Sequence, residues 1–298
     1  MKQTSYKSLI VAIALIGAFS ACTTEPEEVQ NEIDAEVFDP NSSLNTVFDG
    51  KLFSIPSPIQ TAYLIKELNL EFDESLLNDD SMVTEYVTEY QQALNLGIFG
   101  TDLGYSTLYD QKGVTMSYIG AVEKLTAQLG LNGAFNADLL KRFEQNNSDQ
   151  DSMVQIMSDA FREADNFLKK SNRKATSSLV LTGGWVESLY FACELQSQKP
   201  SPKMLNRIGE QKQSLNSIIG ILEAYNKGGS NDALIVDLDQ LREIFEDVSL
   251  NYTYSAPDTD EEKHITTLHH TLDVKISPEV MELIKTKINE IRSNIIKA

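Results

Sequence analysis

The sequence predicts an all-α protein: a single antiparallel, bundle-like domain of about ten helices, with at most one small β-hairpin before the last helix. Three observations predict it. Apolar residues recur at spacings of three and four along most of the chain after residue 57, the signature of amphipathic helices. Glycine or asparagine closes many of these segments, and serine or proline opens several, as helix ends require. One stretch, Ser177 to Gln196, is apolar around almost its whole circumference, as a helix buried on all sides must be. That central stretch holds the only tryptophan, Trp185, together with Cys193 and the adjacent pair Gly183 and Gly184.

The first 21 residues read as a targeting segment. Lys2 and Lys7 form a basic start, Leu9 to Ala18 an apolar run, and Phe19-Ser20-Ala21-Cys22 ends it with small residues before a cysteine. This pattern resembles the lipobox of bacterial lipoproteins. The resemblance implies that the Cys22 thiol takes a diacylglycerol and that Cys22 becomes the first residue of the mature chain, anchored to a membrane by its acyl chains. A signal peptide cut near Ala21 without lipidation is the other reading. With Cys22 lipidated, Cys193 has no partner for a disulfide. Residues 22–46 are polar and acidic with no sustained periodicity, which reads as a flexible tether. The acidic run after Cys22 resembles surface-export signals of Bacteroidota lipoproteins. Together with Thr23 it implies the outer membrane, facing either the periplasm or the cell surface.

The folded part is expected over residues 47–298. Val47 to Phe53 reads as two short apolar pieces joined through Asp49-Gly50. A helix is predicted from Ser57 and Pro58, carrying Ile59, Ala62, Tyr63 and Ile65. A second is predicted from Ser81, with Met82, Tyr86, Tyr90, Ala93 and Leu94 on one face. A third, Asn95 to Asp110, carries Gly97, Gly100 and Gly104 among large apolar residues. Val114 to Leu129 is a fourth, stopped by Gly130. Phe135, Leu139 and Phe143 mark a short helix, and Asp151 opens a long one that ends on Lys169 and Lys170. After the central helix come amphipathic segments from Leu205 to Tyr225 and, capped by Asp232, from Leu234 to Val248. Leu250 to Ser255, with Leu250, Tyr252 and Tyr254 inward, and Leu268 to Ile276 read as a small hairpin or an extended loop. Ser277-Pro278 starts the final helix, whose Val280, Ile284, Ile288, Ile291 and Ile295 form one stripe.

There is a hint of two related halves. Thr107-Leu108-Tyr109 and Ser188-Leu189-Tyr190 each end a glycine-containing apolar helix. Each is followed by an amphipathic helix containing Ile-Gly, at Ile119-Gly120 and Ile208-Gly209. Such a duplication places the two glycine-bearing helices side by side. A glycine inside a helix costs about 1 kcal/mol against alanine, so a cluster of them calls for a packing reason. The stretches Asn95-Leu-Gly-Ile-Phe-Gly-Thr-Asp-Leu-Gly-Tyr105 and Leu181-Thr-Gly-Gly-Trp-Val-Glu-Ser-Leu-Tyr190 resemble segments of an uncharacterised all-α lipoprotein family of Bacteroidota. That resemblance brings no activity or site with it.

Charge narrows the partners. The chain carries 25 Lys+Arg against 44 Asp+Glu, a net charge of −19, and loses Lys2 and Lys7 with the leader. Repulsion then excludes nucleic acid as a partner. Within the two most apolar helices, Asp102 and Glu187 are the candidate ligand-facing acids, with Trp185 as an aromatic neighbour. A buried carboxyl has a raised pKa and serves acid–base chemistry, and paired carboxylates equip glycoside hydrolysis. The plainer account is that each acid lies at a helix rim or is hydrogen-bonded by Tyr105, Tyr109 or Tyr190. His264, His269 and His270 fall in one acidic segment but lack the spacing that sets two ligands on one helix face. No phosphate loop, nucleophile elbow or dinucleotide fingerprint is present, so neither a cofactor nor an enzyme activity is predicted. The sequence therefore favours a lipid-anchored interaction or scaffold module with an unknown protein or small-molecule partner. The alternative is a lipoprotein of an uptake system that binds a glycan or peptide.

Overall fold

A computed structural model describes residues 45–48, 51–54, 64–65, 70–131, 141–142, 145–146, 150–260, 265–267 and 271–297. The leader, Cys22, the helix start at Ser57 and Pro58, the Phe135, Leu139 and Phe143 that mark the short helix, and all three histidines lie outside the described residues. Seven α-helices are described: α1 Glu89–Leu108, α2 Lys112–Gln128, α3 Gln150–Lys170, α4 Lys174–Gln198, α5 Pro202–Ala224, α6 Asp232–Phe245 and α7 Pro278–Ile296. Three short 3-10 turns accompany them, at Glu74–Leu76, Asp80–Thr84 and Lys227–Gly229. None of the described helices is long and apolar enough to cross a membrane.

The second and third expected helices differ from the structure. Ser81 does not start a helix that reaches Leu94. Asp79 caps a 3-10 turn instead, taking the Ser81 N–H at 2.9 Å. The long helix begins after Thr88, whose hydroxyl and the Gln91 side chain form a reciprocal capping box. Asn95 does not interrupt it, because the Asn95 amide donates to Gln91 O at 2.9 Å and to Ile295 O at 3.1 Å. One continuous helix thus carries Tyr90, Ala93 and Leu94 as well as the glycines. At α6 the cap is Asn231, and Asp232 is the first helical residue.

The two glycine-bearing helices, α1 and α4, do pack side by side, and among the described residues they form the most extensive helix contact. Their register runs from Glu89 beside Arg173 and Thr176, through Gly97 beside Gly184, to Tyr105 on Phe191. The pair is therefore parallel, where an antiparallel bundle is expected. The reason is in the connection: α2 folds back along α1, with Thr115 against Ser106 and Tyr118 on Phe99. The next helix, α3, folds back along α4, with Asp165 taking the Ser177 hydroxyl. The remaining layer is antiparallel to α4: α5 through Trp185 and Gln211, and α7 through Glu187 and Arg292.

Among the described residues there are three two-stranded antiparallel ladders. β1 Asn45–Phe48 pairs with β2 Lys51–Ser54; Asp49 and Gly50, where the sequence places a tight turn, lie outside the described residues. β3 Ser249–Thr253 pairs with β6 Thr271–Lys275, and the short β4 Asp258–Asp260 pairs with β5 Ile265–Thr267. The expected single hairpin before the last helix is thus two ladders in succession. Its inner end is anchored, since Leu250 opposes Val274. Val274 is buried over Gly209, whose missing side chain makes room for a Val274 methyl. Further out the ladder leaves the core. Tyr252 and Tyr254, expected inward, are 60% and 71% exposed, and of the β3 residues only Leu250 is partly buried.

Candidate functional site

The residues put forward from sequence fall in two places. Glu187 and Trp185 are two positions apart on α4, and two helical steps turn the side chain by about 200°. They therefore face opposite ways. Trp185 points at α5, where its indole N–H donates to Gln211 Oε1 at 2.9 Å, while the Gln211 amide donates to Arg207 O at 3.0 Å. It is 2% exposed and belongs to the α4–α5 seam. Glu187 points at α1 and meets Asp102, so the two acids are brought together without the tryptophan.

Glu187 and Asp102 are both fully buried. Their partner comes from the far end of the chain. Arg292 on α7 donates from Nε to Glu187 Oε2 at 2.6 Å and from Nη2 to Glu187 Oε1 at 2.8 Å, a two-pronged pairing. Its Nη2 also donates to Leu76 O at 3.0 Å, and its guanidinium lies 4.1 Å over the Tyr190 ring. Such stacking suits a weakly hydrated cation held out of water. Asp102 receives less: the Asn78 N–H donates to its Oδ2 at 3.3 Å, and Oδ1 has no partner among the described residues.

A shell of neutral groups surrounds these charges. Tyr118 donates to Asn78 O at 2.5 Å, Asn78 Nδ2 donates to Tyr86 Oη at 3.2 Å, and Tyr86 donates to Ile296 O at 3.1 Å. Burial pushes the Tyr190 hydroxyl up to about 12, against the pull of Arg292. Burial raises Tyr86 and Tyr118 as well. For Arg292, burial opposes the charge, but adjacent Glu187 outweighs it and holds the guanidinium protonated.

Of the tyrosines expected to bond the acids, Tyr190 stacks on their arginine, and Tyr105 does other work. Tyr105 Oη accepts the Asp73 N–H at 3.0 Å, and its ring packs on Phe72, Tyr109 and Phe191. Cys193 is buried in α4, and burial raises its thiol pKa, which disfavours the nucleophilic thiolate.

Arg292 and Asn78 were missing from the sequence-based candidates. Arg292 carries a readable signal: it stands four residues after Ile288 and next to Ile291, on the margin of the buried stripe of α7. Asn78 carries none, because the N–H that meets Asp102 and the carbonyl that meets Tyr118 are backbone groups delivered by an irregular segment. Among the described residues no group of three His, Cys, Asp or Glu side chains could hold a metal ion. Compared with protein-family models, with curated proteins and with solved structures, the chain matches none of them.

Proposed function

We propose that this protein is a lipid-anchored component of the cell envelope, at the outer membrane, whose helical domain is a non-catalytic interaction or scaffold module. One observation carries the second half of that reading. The acids and the tryptophan that could have faced a ligand are 0–2% exposed, and their interactions run to other parts of the same fold. Glu187 is closed off by Arg292 and Trp185 by Gln211, an arrangement suited to holding helices together. The leader and Cys22 support the first half. Two related halves, α1–α2 and α4–α5, would explain why both glycine helices lie at the centre. Gly209 under Val274, with no such neighbour at Gly120, then marks where the copies diverged.

The alternative, a lipoprotein that binds a glycan or peptide for uptake, draws on Tyr252 and Tyr254. These rings are exposed at the end of β3 and just beyond it, and exposed aromatics are the stacking surface such ligands use.

Membrane fractionation and mass spectrometry of the amino-terminal peptide test the anchor. The wild type is expected in the outer-membrane fraction with acylated Cys22, and Cys22→Ala in the soluble periplasmic fraction. Photo-crosslinkers placed at 252 and 254 in the anchored protein then separate the two readings. One discrete protein adduct supports the scaffold. Saturable binding of an oligosaccharide or peptide that is lost in Tyr252→Ser supports uptake.

A further inference from the structure

We propose that Asp102 and Glu187 together form a proton-binding site that holds one proton at neutral pH and so keeps the C-terminal helix α7 locked into the core.

The geometry asks for that proton. Glu187 spends both oxygens on Arg292. Asp102 lies within hydrogen-bonding reach of Glu187, yet its Oδ1 finds no donor among the described residues. Two carboxylates at that separation repel, whereas a carboxylic acid and a carboxylate make a strong hydrogen bond. A proton on Asp102 supplies the missing donor. It also balances the charge, leaving one carboxylate against one guanidinium in a centre that excludes water. Glu187 is the carboxylate of the pair because Arg292 holds it, and Asp102 is the acid.

The surroundings agree. The groups acting on Asp102 are Glu187 from α4, Arg292 from α7 and the Asn78 backbone from the segment before α1. Burial first, and then the charge of Glu187, hold the Asp102 carboxyl well above the usual carboxylate range, against the opposing pull of Arg292. The phenols of Tyr86, Tyr118 and Tyr190 also feel Asp102, and burial raises each of them, which keeps them neutral.

The link to α7 follows from what Arg292 does. It is the one α7 side chain paired with the acids, and around it Tyr86 donates to Ile296 O and Asn95 to Ile295 O. Loss of the proton leaves an uncompensated negative charge beside that anchor. Admitting water relieves it, and α7 is the element that lifts, because it meets the acids through the Arg292 side chain, whereas α1 and α4, which carry the acids, pack backbone on backbone. The sign is definite. A carboxyl whose pKa is raised by folding stabilises the fold fully below the ordinary aspartate range. That stability is lost as pH rises through its raised value.

The test uses the full chain. Infrared difference spectroscopy at pH 7 is expected to show a protonated carboxyl in the wild type that is gone in Asp102→Asn. Amide exchange of α7, corrected for the intrinsic rate, is expected to lose protection with rising pH in the wild type, by up to roughly tenfold per unit for one proton. In Asp102→Asn, whose amide keeps a donor without the charge, α7 protection is expected to be flat with pH. A wild type with no protonated carboxyl at pH 7 overturns the proposal. So does an unchanged slope in Asp102→Asn, or a slope located in α2 or α5 rather than α7. The two wild-type measurements decide the matter even if the variant folds poorly.

Discussion

The parallel helices α1 and α4 touch in two ways within about two turns of each other. At Gly97 and Gly183 the contact is backbone on backbone. A Cβ on Gly97 would stand 2.5 Å from the Gly184 amide nitrogen, and one on Gly183 would stand 2.8 Å from the Leu94 carbonyl carbon. At Asp102 and Glu187, four or five residues further along, the same helices are joined by charge and need a third helix to complete the contact. The first contact joins two backbones directly, and it depends only on the absence of side chains. The second joins charged side chains, and it depends on a third helix bringing Arg292 from 105 residues away in sequence. The glycines bring the helices close enough to exclude water. That exclusion in turn makes the charges expensive to leave unpaired.

Substitutions can break each contact separately. The largest effect is expected for Gly183→Leu, where backbone stands in the way: the domain should lose its cooperative unfolding transition, or at least about 3 kcal/mol of stability. A melting temperature within a degree or two of wild type would show that the helices do not cross there. Glu187→Gln comes next. It leaves the buried Arg292 without a counter-charge, which costs about 3–5 kcal/mol when one partner of a buried pair is removed. The double variant Glu187→Gln with Arg292→Met sharpens the point. Its loss in urea unfolding should be smaller than that of Glu187→Gln alone, because no uncompensated charge remains.

A smaller effect is expected away from the α1–α4 contact. Trp185→Phe removes the donor to Gln211 and should cost about 1–2 kcal/mol, read by far-ultraviolet circular dichroism in urea. Tyr254→Ser, exposed just beyond β3, should change stability by no more than about 0.5 kcal/mol. A large loss there would mean that the ladder supports the core.

Much of the helical architecture is legible in local chemistry. The central helix could be located from Ser177 to Gln196 because burial on every side demands an apolar circumference, and it extends only a turn or less beyond those bounds. The α7 stripe was equally readable, and Ile284, Ile288, Ile291 and Ile295 are all buried. The helix start near residue 81 misled because Asp79, Asp80 and Ser81 look like a cap, and they do cap a turn, but a 3-10 turn. Asn95 looked like a boundary because an asparagine is usually poor in a helix. Its partner, the Ile295 carbonyl, lies 200 residues away. Tyr252 and Tyr254 alternate as a half-buried strand should, and alternation cannot say where the underlying surface ends.

The candidate site divides in the same way. Asp102 and Glu187 could be singled out as acids in apolar helices, and the glycines beside them suggested a close approach. That these acids meet while Trp185 turns away follows from the pitch of one helix and the parallel register of two. By itself the sequence determined that the chain is mostly helical, that the α4 stretch is buried on all sides and that α7 buries one isoleucine stripe, since these depend on spacing within a few turns. Only the tertiary structure decided that α1 and α4 run parallel, that Arg292 neutralises Glu187 and that Asp102 keeps an unmatched oxygen. Each of those rests on groups far apart in the chain, and the cost of burying a charge is set by whatever neighbours the fold supplies.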